Sequence, residues 1–145
     1  MITNERQYGI TKSEAAKFEA ALSGLETAEG HRPDEMRQIM REAIESQLEE
    51  LRDQLAEFDA LRSGNIEVLD VEGLQEIPTA LLRARISCGL TQKELARRLG
   101  LKEQQIQRYE ATRYKGVSWE RIQKVAEALG VKIWERLTLP ATAQK

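Results

Sequence analysis

The sequence has few of the residues that build disulfides, metal sites or catalytic pairs. Cys88 is the only cysteine and His31 the only histidine among 145 residues. One cysteine cannot close an internal disulfide, and a lone Cys far from a lone His supplies neither a zinc site nor a Cys–His nucleophile. No apolar run approaches the length of a membrane span. We therefore expect a cytoplasmic protein that needs no metal or other cofactor, lies outside membranes and is not an enzyme.

Charged residues are plentiful, but the two signs are divided unevenly along the chain. Residues 1–77 carry 8 Lys and Arg against 18 Asp and Glu, whereas residues 78–145 carry 14 against 6. A basic region attracts phosphate and an acidic region is repelled by it. The division indicates that the C-terminal half meets nucleic acid. The N-terminal half is expected to bind protein or form a dimer without touching DNA.

The first 65 residues are predicted to form an acidic helical hairpin. Residues 1–10 are polar and are expected to be loosely held. Helices are predicted at about residues 11–26, opening with a capping box from Thr11 to Glu14, and 33–62, with Pro33 in the first turn. Apolar residues in the second helix follow the alternating spacing of a hairpin or coiled-coil seam: Ile44, Leu48, Leu51, Leu55 and Phe58.

Residues 66–77 are predicted to be a linker or a short strand. Their apolar side chains fit either a packed, extended linker or a strand, and a lone strand needs a partner. The obvious partner would be the same strand of a second subunit. The sequence leaves both possibilities open.

Residues 78–137 are predicted to form five short helices, followed by a tail at 138–145. The first runs from Pro78 to near Gly89. The second begins at Thr91, which forms a capping box with Glu94, and closes at Gly100, where a left-handed conformation is favoured. The third extends from residue 102 to about 111, and the fourth is capped by Ser118 and closed by Gly130. The last is an apolar turn or helix, and it contains Trp134, which together with Trp119 is expected in the core.

The third of these helices carries side chains suited to reading DNA bases. Arg and Lys pair with guanine edges, Gln with adenine, and Glu with the amino group of cytosine. Two short helices joined at a glycine, the second with such a face, are what major-groove recognition requires. The candidate base-reading residues are Lys102, Glu103, Gln104, Gln107 and Arg108.

These motifs resemble the DNA-binding domain of the Cro and cI phage repressors and their bacterial relatives, the XRE family. The resemblance spans residues 77–134 and rests on Gly89-Leu-Thr-Gln-Lys-Glu-Leu-Ala96, Lys102-Glu-Gln-Gln-Ile-Gln-Arg-Tyr-Glu110 and Ala126-Glu-Ala-Leu-Gly-Val131. It implies an all-α fold in which a lambda-repressor-like domain of five helices follows the acidic hairpin. It also implies phosphate contacts from Gln92, Arg97, Arg113 and Lys115. Arg83, Arg85 and Arg98 could serve as phosphate clamps or be ordinary surface.

Two positions depart from the family pattern. Lys102 stands where Ser or Thr is frequent, so its ammonium group could point to DNA instead of capping the helix. The loop at 112–117 lacks the usual early glycine after Glu110, which leaves its path open.

The sequence therefore predicts a sequence-specific transcriptional regulator, a repressor that binds double-stranded DNA as a homodimer on a two-fold operator. A small acidic helical region before an XRE domain is also similar in layout to HigA-type antitoxins. Such a protein would neutralise a basic toxin and repress its own operon. A protein–protein adaptor with a degenerate helix-turn-helix is the third alternative. The basic, Gln-rich surface of the third helix argues against it, because a domain that no longer binds DNA does not need a basic surface.

Overall fold

A computed structural model describes residues 1–27 and 33–142, and within them the protein is all-α, as predicted. The described residues contain six α-helices, one short 3₁₀ turn and no strand. The helices are α1 (Glu5–Thr27), α2 (Asp34–Arg62), α3 (Ile77–Ser87), α4 (Gln92–Leu99), α5 (Glu103–Ala111) and α6 (Trp119–Leu129). The 3₁₀ turn, Leu74–Glu76, leads directly into α3. None of the described helices combines the length and apolar character needed to cross a bilayer.

Helices α1 and α2 form an antiparallel hairpin. Glu5 of α1 pairs with Arg62 of α2 at 3.2 Å, and Glu19 pairs with Arg52 at 3.1 Å. Residue numbers therefore increase along α1 in the direction in which they decrease along α2. Leu48 and Phe58 from the predicted seam are buried, and Ile44, Leu51 and Leu55 are partly buried. Part of the seam therefore faces α1 in the same chain, as expected of a helical hairpin.

The N-terminal residues are ordered against the protein, and the expectation of a loosely held segment is wrong. Helix α1 begins at Glu5, because the Asn4 side chain accepts a hydrogen bond from the Gln7 backbone N–H at 2.9 Å, the arrangement of a helix N-cap. Thr11 is not a cap but lies inside the helix on its buried face. The spacing from Asn4 to Gln7 fits a helix start as well as Thr11 to Glu14 does, and the packing of Ile2 on α3 distinguishes the two.

The two halves of the chain share a hydrophobic core. Ile2, Phe58 and Leu61 from the N-terminal region pack with Leu82 and Ile86 of α3. A Leu or Ile side chain contributes about 1.5–3 kcal/mol when it is fully buried. The hairpin is therefore a structural support of α3, the first helix of the C-terminal domain.

A second core fills the C-terminal domain. Its centre is made by Leu81, Leu95, Ile106 and Val125, one from each of α3, α4, α5 and α6. Ala96 is also buried there, and α4 and α5 pack closely. A small residue at this position permits the close approach of two helices joined by a short turn.

Two segments outside the helices and the two tryptophans bear on the expectations from sequence. Residues 66–73 form an irregular segment, which agrees with the linker and not with the strand alternative. Residues 131–142 have no helical structure, so the expected fifth helix at 131–137 is absent from the described residues. Trp119 is about half exposed and Trp134 is 88% exposed, so the placement of both in the core was wrong. Without a fifth helix, nothing folds Trp134 back onto the domain.

Candidate nucleic-acid interface

The first helix of the helix-turn-helix pair is fixed by the predicted capping box. The Thr91 hydroxyl accepts from the Glu94 backbone N–H at 3.1 Å, and the Glu94 carboxylate accepts from the Thr91 N–H at 2.7 Å. The hydrogen bond from the Thr91 backbone lowers the pKa of Glu94, with the hydroxyl bond acting in the same direction. The carboxylate therefore stays charged at neutral pH and holds the N-terminus of α4 in place.

Helix α5 presents the five predicted base-reading side chains to solvent. Lys102 lies at the N-cap without a side-chain cap bond, and Gln105 instead accepts from its backbone N–H at 3.2 Å. The helical spacing places 103 with 107 and 104 with 108 on one side. We call this surface the reading face; all of its members are exposed: Lys102, Glu103, Gln104, Gln107 and Arg108.

A buried ion pair holds α5 against α3. The Arg85 guanidinium donates to both carboxylate oxygens of Glu110, with the Nη2–Oε2 distance at 2.8 Å. Arg85 is 3% exposed and Glu110 is 2% exposed. Arg85 also donates to the backbone carbonyls of Leu90 and Thr3, so it ties the N-terminal segment to the same centre.

Gln92 belongs to this network, which corrects its expected role. Its amide donates to Glu110 Oε2 at 2.7 Å, and its oxygen accepts from Asn4 Nδ2 at 3.1 Å. The residue is 4% exposed and both polar ends of its side chain are hydrogen-bonded within the protein, so the side chain is not available to a phosphate in this arrangement. The backbone N–H groups at the start of α4 remain suited to that task.

The other arginines of α3 and α4 divide between protein contacts and open surface. Arg83 pairs with Glu57 of α2 at 3.0 Å, and Arg98 donates to the Ala128 carbonyl at 2.8 Å. Arg97 is exposed, as are Arg113 and Lys115 in the loop after α5. These last three keep the exposure that the predicted phosphate contacts require.

The end of α5 has an unusual backbone. Helices α3, α4 and α6 end at a left-handed glycine: Gly89, Gly100 and Gly130. At the end of α5 the same pair of backbone bonds is made by Arg113 to Glu110 and by Tyr114 to Tyr109, which is the Schellman pattern. Here Arg113 (φ 52°) occupies the position that glycine holds elsewhere, and Tyr114 (φ 59°) is left-handed as well.

Tyr114 is buried beneath this turn. Its ring packs on Tyr109 with centroids 5.8 Å apart, and burial raises the pKa of its hydroxyl, with Glu110 adding to the effect. The phenol therefore anchors the loop as a neutral group. Arg113, one residue earlier, is left on the surface in a conformation that a non-glycine residue adopts at a cost of about 1–2 kcal/mol.

Replacing Arg113 by glycine is expected to stabilise the fold slightly. Relief of the left-handed strain outweighs the added entropy of a glycine in the unfolded chain, about 0.5–1 kcal/mol. The free energy of unfolding, measured by urea titration, should rise by up to about 1 kcal/mol. Lys115→Gly removes the same charge at a position with no positive φ and should stabilise nothing. If the two substitutions change the free energy of unfolding equally, the inferred backbone strain at Arg113 is wrong.

Sequence reasoning missed one part of this surface. The N-terminal segment borders the C-terminal half of α5, so Asn4, Arg6 and Gln7 line a groove with Gln107 and Arg113. No local pattern signals this contact, because it joins positions about a hundred residues apart. Within the described part of the chain, no group of three or more His, Cys, Asp or Glu residues could hold a metal ion.

Comparison with known proteins agrees with this geometry. Residues 81–133 match the model of the helix-turn-helix family. Neither a curated protein nor a solved structure matches the chain. The match begins within α3 and covers α4 to α6, so it includes the capped helix, the glycine turn and the reading face. The match spans 53 of the 145 residues, so the chain contains a segment that is similar to helix-turn-helix domains of the XRE type.

Proposed function

We propose that this protein is a sequence-specific DNA-binding transcription regulator, acting as a repressor in the form of a dimer on a two-fold operator. The observation that carries the proposal is the exposed reading face on the second helix of a helix-turn-helix unit. Two of its residues are cationic, two are glutamines and one is a carboxylate. A helix of this kind inserts its side chains into the major groove, where each base pair has a distinct donor and acceptor pattern.

Direct base reading requires a fixed approach to the duplex. The α4 N-terminus, held by the Thr91–Glu94 box, would place backbone N–H groups against a phosphate. Arg97, Arg113 and Lys115 would add contacts on the DNA backbone. These contacts fix the position of the protein along the duplex, and the side chains of the reading face then discriminate among bases.

Dimer formation is supported by an uncovered apolar segment after α6. Trp134, Leu137 and Leu139 are each more than 80% exposed. Apolar side chains this concentrated mark an interaction surface more often than a free one. A second copy bound there would give the two-fold symmetry that a palindromic operator requires.

Site selection from random duplexes, followed by footprinting, tests the function directly. The expected footprint has two related half-sites whose centres lie about 10–10.5 base pairs, or a multiple of that, apart. Recovery of one unrepeated half-site would argue against the dimer. Recovery of no preferred sequence would argue against sequence-specific regulation.

Single substitutions on the reading face should weaken only specific binding. Gln104→Ala or Arg108→Ala is expected to cost about 1–3 kcal/mol on the selected site and to relax preference at one or two base positions. Gln123→Ala, an exposed glutamine on α6, is the matched control and should change nothing. Competition with specific and scrambled duplexes measures the effect. An equal loss on both would make the residue a phosphate contact instead.

The antitoxin alternative has an observation of its own in its favour. Helix α2 carries nine carboxylates against four arginines, and Met36 and Ile39 near its start are more than half exposed. An acidic helix with uncovered apolar side chains suits a basic protein partner. The discriminating observation is the neighbouring gene, where a small basic ribonuclease-like reading frame would favour this alternative.

A further inference from the structure

The groove between the N-terminal segment and α5, here called the arm groove, has polar and cationic side chains beside apolar ones in its walls. It has a volume of about 670 Å³, and its walls include Arg6 and Gln7 on one side and Gln107 and Arg113 on the other. Arg6 and Arg113 are both exposed. Two guanidinium groups around one open groove are suited to a phosphate, which accepts from the planar fork of arginine.

The carboxylates near the arm groove are already paired. Glu110, which also lines it, is bound by Arg85 and Gln92. Glu5, beside Arg6 in the chain, pairs with Arg62 at 3.2 Å. Because these acids have partners, the positive charge of the groove is not cancelled within it.

The hydrogen bonds in the first turn of α1 favour Gln7 as a hydrogen-bond donor to an anion in the arm groove. The Gln7 side-chain oxygen already accepts from the backbone N–H and the hydroxyl of Thr3, each at 2.9 Å. The polar group that Gln7 has left is its amide NH₂, which is a donor. An anion would therefore meet donors from both walls.

The left-handed backbone at the C-terminal end of α5 is an independent sign of function at the arm groove. Three helices of the domain use glycine at the left-handed position, but α5 uses Arg113, which lines the groove. Backbone strain of this kind persists at ligand-binding sites, where the side chain has a task that glycine cannot perform. The structure thus places a guanidinium here at a conformational cost.

The groove is also continuous with the reading face, since Gln107 belongs to both. We propose that the arm groove binds a backbone phosphate of the same duplex whose bases α5 reads, held between Arg6 and Arg113. The inference rests on the proposed function and extends it, because it assigns a DNA contact to the acidic N-terminal region. That region then serves both as support for α3 and as part of the DNA-binding surface.

The test uses the full chain and compares Arg6→Ala with Lys17→Ala. Both remove one exposed cation from α1, but Lys17 lies 11 residues on, about 16 Å along the helix. Binding to the selected duplex and to a scrambled duplex is measured by fluorescence anisotropy across a salt series. Arg6→Ala should weaken both duplexes alike and reduce the salt slope by about one per protomer. Lys17→Ala should leave the slope unchanged, and Arg6→Lys should restore most of it.

The outcomes separate this inference from the proposed function. If Arg6→Ala leaves the slope unchanged while the wild-type protein binds its site, the arm groove does not bind phosphate and the proposed function stands. If Arg6→Ala changes affinity only for the selected duplex, Arg6 reads a base and the inference is wrong. If the wild-type protein shows no salt-dependent binding to any duplex, the proposed function itself fails. Circular dichroism of each variant confirms that the fold is retained, which the exposure of Arg6 leads us to expect.

Discussion

The affinity of the full-length protein for duplex DNA is expected to fall by about 10³–10⁵-fold between about 50 and 200 mM salt. The range applies to a protein that neutralises about 6–10 phosphates. Residues 78–145 carry eight more basic than acidic residues, and Arg97, Arg113 and Lys115 are exposed. Two protomers, each with these three cations and the α4 N-terminus, reach that number of contacts.

The salt titration should be run on the selected and the scrambled duplex together. Phosphate contacts carry no sequence information, so both duplexes should show steep slopes, and the selected one should remain tighter throughout. Lys115→Ala removes a predicted phosphate contact in the loop after α5, and Lys17→Ala removes a cation from the hairpin. Only the former should reduce the slope. A nearly flat titration on both duplexes would contradict DNA binding.

Replacing Glu110 by alanine is expected to destabilise the fold by about 3–5 kcal/mol, the cost of breaking a buried ion pair by removing one partner. The Arg85 guanidinium would keep two carbonyl acceptors, from Thr3 and Leu90, but would lose its counter-charge. Gln92 would lose its acceptor as well. Since a domain is stable by only about 5–15 kcal/mol, this loss is a large share of the total free energy of unfolding. Urea titration monitored by circular dichroism measures the change.

Glu19→Ala is the matched control for this prediction. It makes the same substitution in the Glu19–Arg52 pair, whose side chains are both more than half exposed. An exposed ion pair contributes about 0–1 kcal/mol. If Glu110→Ala costs no more than Glu19→Ala, the buried network does not stabilise the domain in the way described. Arg85→Met combined with Glu110→Leu should cost less than Glu110→Ala alone, because it leaves no unpaired charge.

The parts of the fold that depend on neighbours in sequence were predictable. The Thr91–Glu94 box and the glycine at position 100 are local signals, because capping and left-handed turns involve only three or four consecutive residues. The reading face follows from helical spacing once α5 is placed. For the same reason the limits of α2 were predicted to within one residue.

The predictions failed where the structure depends on distant contacts. The start of α1 was placed too late because Thr11 and Glu14 form a plausible box, whereas Asn4 begins the helix in a segment ordered by packing on α3. Apolar spacing at 131–137 indicated a helix, but in the described structure Val131 packs against the core whereas Trp134 and Leu137 are exposed. Trp134 therefore has no core to enter.

Gln92 shows most clearly what sequence alone could and could not determine. The sequence determined that it stands at the first turn of α4, because the cap and the glycine turn are fixed by local backbone chemistry. Only the tertiary structure decided that its amide bonds Glu110 and Asn4, since those partners lie 18 and 88 positions away. The buried Arg85 and Glu110 side chains need hydrogen-bond partners, and the Thr3 carbonyl and the Gln92 amide supply two of them. These partners are brought together by tertiary packing, which places the N-terminal segment against the helix-turn-helix half of the molecule.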